Sequence, residues 1–389
     1  MLITDVRPWG RSPVDIVVRG DTISEIRTSR TGLGTDDVVL EGEGRLALPT
    51  FVNAHAHVDK SWWGLPWIPS GGGDDTIDRI AYERAQRSAV PIPSVDATVG
   101  VLREFLRHGT TRVRSHVDVD LGVGLDGIHT VRAAVAALDG LVDVELVAFP
   151  QDGVIRRDGV LALLDAAAAA GADCIGGIDP ATLDRDPVGQ LDGIFDIADR
   201  RGVGIDIHLH DAGELGAFQL ELIAERTRAC GMQGQVTISH GYAIAEIGPD
   251  PRERLLDRCA DAGMMWVTSA KALLPWRAML RRGIGLGFGT DGVRDLWSPF
   301  GDGDLLRAAW TFAHLHNLRT DEDLALVIEL ATTQAAPFVG GPVHDLVPGA
   351  RADLVLIEAE NLGDVLVRVP QCRTVVAGGR IAVTDGVLA

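Results

Sequence analysis

The sequence predicts an α/β protein: a (β/α)8 TIM-like barrel with a small β-sandwich formed by its two terminal segments. Three observations predict it. Short β-branched runs alternate with helical stretches through the middle of the chain, eight such units follow one another, and both ends are instead strand-like and turn-rich. Eight units in a row favour a closed barrel over an open doubly wound sheet. No GxGxxG turn opens the first helix, which counts against a dinucleotide-binding sheet.

Strands are expected near 50–55, 111–117, 143–149, 174–178, 203–208, 235–239, 264–268 and 284–289. Helical patterns lie between and after them, at 94–108, 126–139, 159–170, 187–201, 213–230, 251–262, 274–282 and 303–318. Ser94 and Asp126 suit N-caps, and Gly109, Gly171, Gly202, Gly231, Gly263 and Gly283 each follow a helix where a C-cap glycine belongs. Residues 1–49 and 342–389 are each too short for a comfortable sheet domain. They are expected to pair into one composite sandwich, leaving 50–341 as the barrel.

Composition agrees with one barrel and an accessory unit. The 389 residues are 46% hydrophobic, enough for a large core. With 55 acidic against 36 basic residues the formal charge is −19, a surface that repels polyanions, so neither nucleic acid nor an anionic membrane is an expected partner. The start of the chain lacks a basic segment followed by an apolar run, and the richest apolar stretch, 161–172, is a short alanine-rich run that reads as a packed helix. Cys174, Cys230, Cys259 and Cys372 form no CxxC pair and read as thiols in a reducing compartment, hence a cytoplasmic protein. A homo-oligomer is compatible with all of this.

Function in such a barrel gathers at the C-terminal ends of the strands. The first strand closes with His55-Ala56-His57, and residues two apart on an extended segment share a face, so both imidazoles can address one ion. Taken alone the pair reads equally as two structural histidines. Three further strand ends carry His208 with His210 and Asp211, then His240, then Asp291. Three histidines and a carboxylate make a sound ligand set for zinc or ferrous iron with one position left for water.

These residues resemble the amidohydrolase superfamily, and within it the cytosine-deaminase-like branch. The resemblance runs through Leu48-Pro49-Thr50-Phe51-Val52-Asn53-Ala54-His55-Ala56-His57, residues 113–118, 147–153 and 297–301, and the returning segment 348–354. It implies that His55, His57, His208 and Asp291 hold one divalent metal, zinc or else iron, with His240 close to the water. Members with two metals carry a bridging lysine at the end of strand four. This chain has only Lys60 and Lys271, so a single metal is expected. His57-x-x-Lys60 together with His208-x-His210 is most similar to members that strip an alkylamine from a triazine ring.

The implied reaction hydrolyses an amine or ammonia from a small-molecule nitrogen heterocycle. Asp291 and His240 would orient water and take its proton, while Lys60, His210 and Asp211 are the candidate donors to the departing amine. A lysine beside a metal is expected to have a depressed pKa. Gln151 can read a ring amide with donor and acceptor, or bond loop backbone. Trp297 is a pocket wall by resemblance; Trp62, Trp63 and Trp67 either wall the ring or pack on their own domain. Gly292 stands where cytosine deaminase has a second aspartate, and is expected to free that volume for a bulkier substituent. Asp211 stands where that enzyme has glutamate. Two other readings compete: a cyclic-amide hydrolase that opens a ring, which would want the strand-four lysine, and a non-catalytic barrel serving as a binding module.

Overall fold

The computed structural model describes residues 1–28, 38–69 and 71–389, so positions 29–37 of the N-terminal segment lie outside the described residues. A curled parallel sheet forms the centre. Its strands run in order Phe51–His57, Thr110–Asp118, Asp143–Phe149, Cys174–Ile178, Gly204–Leu209, Val236–His240, Met265–Thr268 and Leu286–Phe288, each pairing in parallel with the next. Three residues beyond Phe288, Asp291 and then Gly292 pair back onto Ala56 and His57 of the first strand. The two edges of the sheet therefore meet within one short segment, as in a TIM-like barrel. A Cβ on Gly289 would collide with His55, so glycine lets the last strand lie against the first at the histidine pair.

The helices fall where the periodicity places them, from Val95–Arg107 through Leu305–Leu315. Ser94 caps its helix by accepting from the Ala97 N–H, as expected. Asp126 does not: it is the first helical residue, Leu125 holds the cap position, and the acidic side chain acts through its charge in the first turn. All six predicted C-cap glycines have positive φ. Helices at Thr76–Gln86, Asp321–Leu330 and Leu362–Arg368 were not anticipated.

The terminal segments pair with each other, Leu46–Pro49 running antiparallel to Leu354–Ile357 and, through Arg7 and Pro8, parallel to Leu2–Pro8. Alternation along these strands buries both faces. Leu46, Leu48, Val355, Ile357 and Val375 join the barrel's hydrophobic core, while Ala47, Leu354, Leu356 and Val376 join Ile3, Val6, Ile16 and Val18 in a second cluster.

One buried ion pair fastens this sheet to the barrel. Arg373 Nη1 and Nη2 each donate at 2.8 Å to an oxygen of Asp304, the cap of the 305–315 helix, and Nη1 also donates to His108 O at 2.6 Å. Burial would raise the Asp304 carboxyl, but Arg373 holds it below its usual range. Arg373→Met should therefore cost about 3–5 kcal/mol in denaturant unfolding, the scale of a buried charge stripped of its partner. An unchanged unfolding midpoint would show the pair to be dispensable.

Candidate active site

The curled sheet brings the strand-end histidines to one point. His57 Nε2 lies 3.3 Å from His208 Nε2, and both His55 Nε2 and His57 Nε2 lie 3.6 Å from Asp291 Oδ1. His240 completes the group, with a ligating atom within 4.8 Å of those of His55 and His208. Ligands on a tetrahedral zinc, at about 2.0–2.1 Å from the ion, sit roughly 3.3–3.4 Å apart, close to the separations here.

Chemistry agrees with geometry. Ser239 Oγ donates to Asp206 Oδ1 at 2.7 Å, so its oxygen accepts from His55 Nδ1–H at 2.8 Å. That leaves His55 Nε2 as a lone pair, and this buried atom has no hydrogen-bond partner in the protein. Burial, reinforced by neighbouring cations and imidazoles, lowers His57, His208 and His240 well below the ordinary histidine range, so they are neutral at pH 7. For Asp291 burial acts upward, yet Lys271 Nζ at 2.7 Å and the nearby histidines hold the carboxyl well below its usual value. Neutral imidazoles beside an ionised carboxylate are the protonation states that bind a divalent metal. These residues fit one. His116, fully buried, has its ring centroid 4.2 Å from that of His55 and supports the cluster from below.

A cavity of about 760 Å³ opens over the cluster. Lys60, Gln151, His210, Gly292 and Trp297 all line it. Lys60 Nζ donates to Gln151 Oε1 at 2.5 Å and pairs with Asp118 Oδ1 at 2.9 Å, with Glu83 Oε2 3.7 Å away. The protein groups around Lys60 act against the expected pKa depression. Burial does act downward, but Asp118, Glu83 and Asp59 outweigh it and raise the ammonium above its ordinary 10.5. These neighbouring anions favour the charged ammonium of Lys60.

Of the other candidate donors, His210 faces the cavity and Asp211 does not. His210 Nδ1 bonds Asp179 Oδ2 at 2.8 Å, and its ring stacks on His240 with centroids 4.6 Å apart. Asp211 instead accepts from Thr182 Oγ1 and, at 2.8 Å, from Gln219 Nε2, and it is absent from the cavity lining. Trp62 and Trp63 pack under Arg294, outside the cavity.

Three functional-looking residues escaped the sequence. Glu83 is buried and its Oε2 accepts from both Gln151 Nε2, at 2.5 Å, and Trp297 Nε1, so it aligns two cavity side chains at once. The signal was Ile80 three residues earlier, which marks the buried face of the unanticipated 76–86 helix. Asp179 orients His210, but nothing in the run 174–179 advertises it. Asp295 corrects the expectation for Gly292. The volume beside that glycine is not free, because a Cβ there would overlap the Asp295 carboxylate. Burial, with Glu83 and Asp291 adding to it and Lys60 and the Ser298 N–H opposing, raises Asp295 to about 7.

Barrel, histidine cluster and cavity together define a hydrolase, and the chain belongs to the amidohydrolase family, whose model matches residues 94–383. Its relatives include the N-isopropylammelide isopropyl amidohydrolase of Pseudomonas sp. (strain ADP), 31% identical over 97% of this chain and 95% of that protein. Among solved structures, the crystal structure of N-isopropylammelide isopropylaminohydrolase from Burkholderia multivorans ATCC 17616 is 41% identical, covers 100% of this chain and 99% of its own, and superposes with a TM-score of 0.95. That of 5-methylcytosine deaminase from Klebsiella pneumoniae liganded with 5-fluorocytosine is 26% identical, covers 99% and 98%, and gives 0.85.

Proposed function

We propose that the chain is a mononuclear metal-dependent aminohydrolase that removes an alkylamine or ammonia from a nitrogen heterocycle. The observation that carries this is the convergence of His55, His57, His208 and Asp291 beneath a cavity lined by Lys60, Gln151 and Trp297. The relatives named for N-isopropylammelide and 5-methylcytosine support the substrate class. A metal held by those four residues, zinc in our reading, supplies Lewis acidity that makes water a nucleophile at neutral pH.

The chain's own groups do the rest. Asp291 and His240 orient the attacking water and accept its proton. His210, fixed through Nδ1 by Asp179, presents Nε2 as the donor to the leaving nitrogen. Lys60 holds a ring oxygen or nitrogen by its permanent charge, Gln151 reads the ring edge with its remaining N–H and lone pair, and Trp297 covers the ring face. Water enters, the exocyclic C–N bond breaks, a ring carbonyl forms, and the amine departs with the delivered proton. The ring-opening alternative wants a strand-four lysine, and Cys174–Ile178 has none.

We read 1–49 with 342–389 as a composite sandwich, since the two terminal runs share one apolar cluster, and 50–341 as the catalytic barrel. No helix among the described residues is long and apolar enough to cross a membrane, and the four unpaired cysteines favour the cytoplasm. Elemental analysis should return one divalent metal per chain, and a panel of amino- and alkylamino-heterocycles should release ammonia or amine. Two metal equivalents in active protein, none, or ring opening without amine release would sink this reading.

A further inference from the structure

Asp295 sits in a tight loop after the last strand. Its Oδ1 accepts from the N–H groups of Trp297 and Ser298 at 2.8 and 2.7 Å, and its own N–H donates to Ser298 O at 2.9 Å. Oδ1 is therefore committed to the loop. No protein group among the described residues donates to Oδ2, although the side chain is buried. That oxygen lies where a Cβ on Gly292 would be, one residue from Asp291, and both Gly292 and Asp295 line the cavity. Oδ2 is not sealed in the interior, and since Asp295 lines the cavity, the cavity is the side from which a donor can come. Lys60 faces it, with Glu83 and Asp291 as the neighbouring anions.

We propose that Asp295 is a substrate-contacting residue whose Oδ2, reaching over the bare backbone of Gly292, accepts the N–H of the amine that departs. Gly292 is then the residue that makes the reach sterically open. The inference rests on the aminohydrolase reading and deepens it, because it fixes a requirement on the substrate. The nitrogen to be expelled must keep at least one hydrogen, so primary amines and N-monoalkyl amines qualify and N,N-dialkyl amines do not. A site built around such an N–H discriminates strongly against analogues lacking it, since its acceptor is then left unpaired.

The test moves the carboxylate. Asp295→Asn keeps an Oδ1 acceptor for the loop and removes the charge; Asp295→Ala removes both; the double variant Gly292→Asp with Asp295→Ala returns a carboxylate to the same place from the strand. With N-isopropylammelide and 5-methylcytosine as probes, both single variants should lose about 10- to 100-fold in kcat/KM with metal content unchanged. The double variant should recover most of what Asp295→Ala loses. A purely loop-capping role predicts no recovery, because the Trp297 and Ser298 N–H groups stay uncapped in both. Wild-type kcat/KM in a folded, metal-loaded Asp295→Asn, or a double variant no better than Asp295→Ala, would overturn the inference. If the alanine variants fail to fold, Asp295→Asn decides alone. A wild-type protein that binds N-isopropylammelide without releasing amine would overturn only the aminohydrolase reading. Calorimetry then settles Asp295, and equal affinity in wild type and Asp295→Asn rejects it.

Discussion

His208→Ala should yield a folded protein that no longer retains its metal. His208 Nε2 is 3.3 Å from His57 Nε2, and the three remaining ligands should bind the ion far more weakly. Loss of an outer hydrogen-bond partner weakens metal affinity by about 10–100-fold, and removal of a ligand should exceed that. Competition against a chelator measures it directly, and turnover should fall to background alongside. The ring also stacks on Phe149 at 4.1 Å between centroids, so circular dichroism is needed to separate lost packing from lost metal. Metal content equal to wild type in the folded variant would remove His208 from the ligand set.

Lys60→Met should lower turnover at least ~100-fold, the scale of a lost electrostatic contact to the reacting ring, and also destabilise the protein. The second effect follows from the pair with Asp118 at 2.9 Å: without Lys60, this buried carboxylate keeps, among the described residues, Arg87 at 3.0 Å as its paired cation. Lys60→Arg retains the charge and should recover much of the stability, but little of the turnover, because a planar fork replaces a point charge against Gln151. The sign of the pH effect is fixed by the raised folded-state pKa. The stability Lys60 contributes is fully present below the ordinary 10.5 and is lost only as pH climbs beyond it. Lys60 therefore contributes no limb to a pH–rate profile near neutrality. Near-normal kcat in Lys60→Met on the true substrate would make the residue a bystander.

The barrel strands and the cluster of strand-end histidines and aspartate were legible because each depends on local pattern. Alternating β-branched and helical runs place the eight strands, and a polar residue at each strand end is conspicuous where burial is otherwise apolar. What the sequence hid depends on partners distant along the chain. Asp211 reads as a donor until Thr182 and Gln219 are seen to occupy its carboxylate. Lys60 reads as a depressed amine until Glu83 and Asp118 arrive from two other elements. Gly292 reads as empty space, because the turn that folds Asp295 back over it has no periodicity to betray it.

The pairing of Leu46–Pro49 with Leu354–Ile357 also bears on how the protein is made. Leu46 faces Ile357, and Ala56 of the first strand faces Asp291. Both seams join residues synthesised early to residues synthesised late. An emerging chain must hold residues 46–49 without their partner strand until Ile357 has left the ribosome. Such remote pairings are slow to form and leave sheet edges open meanwhile. The order of synthesis thus makes the strand Leu354–Ile357, remote from the chemistry, the piece that closes this seam.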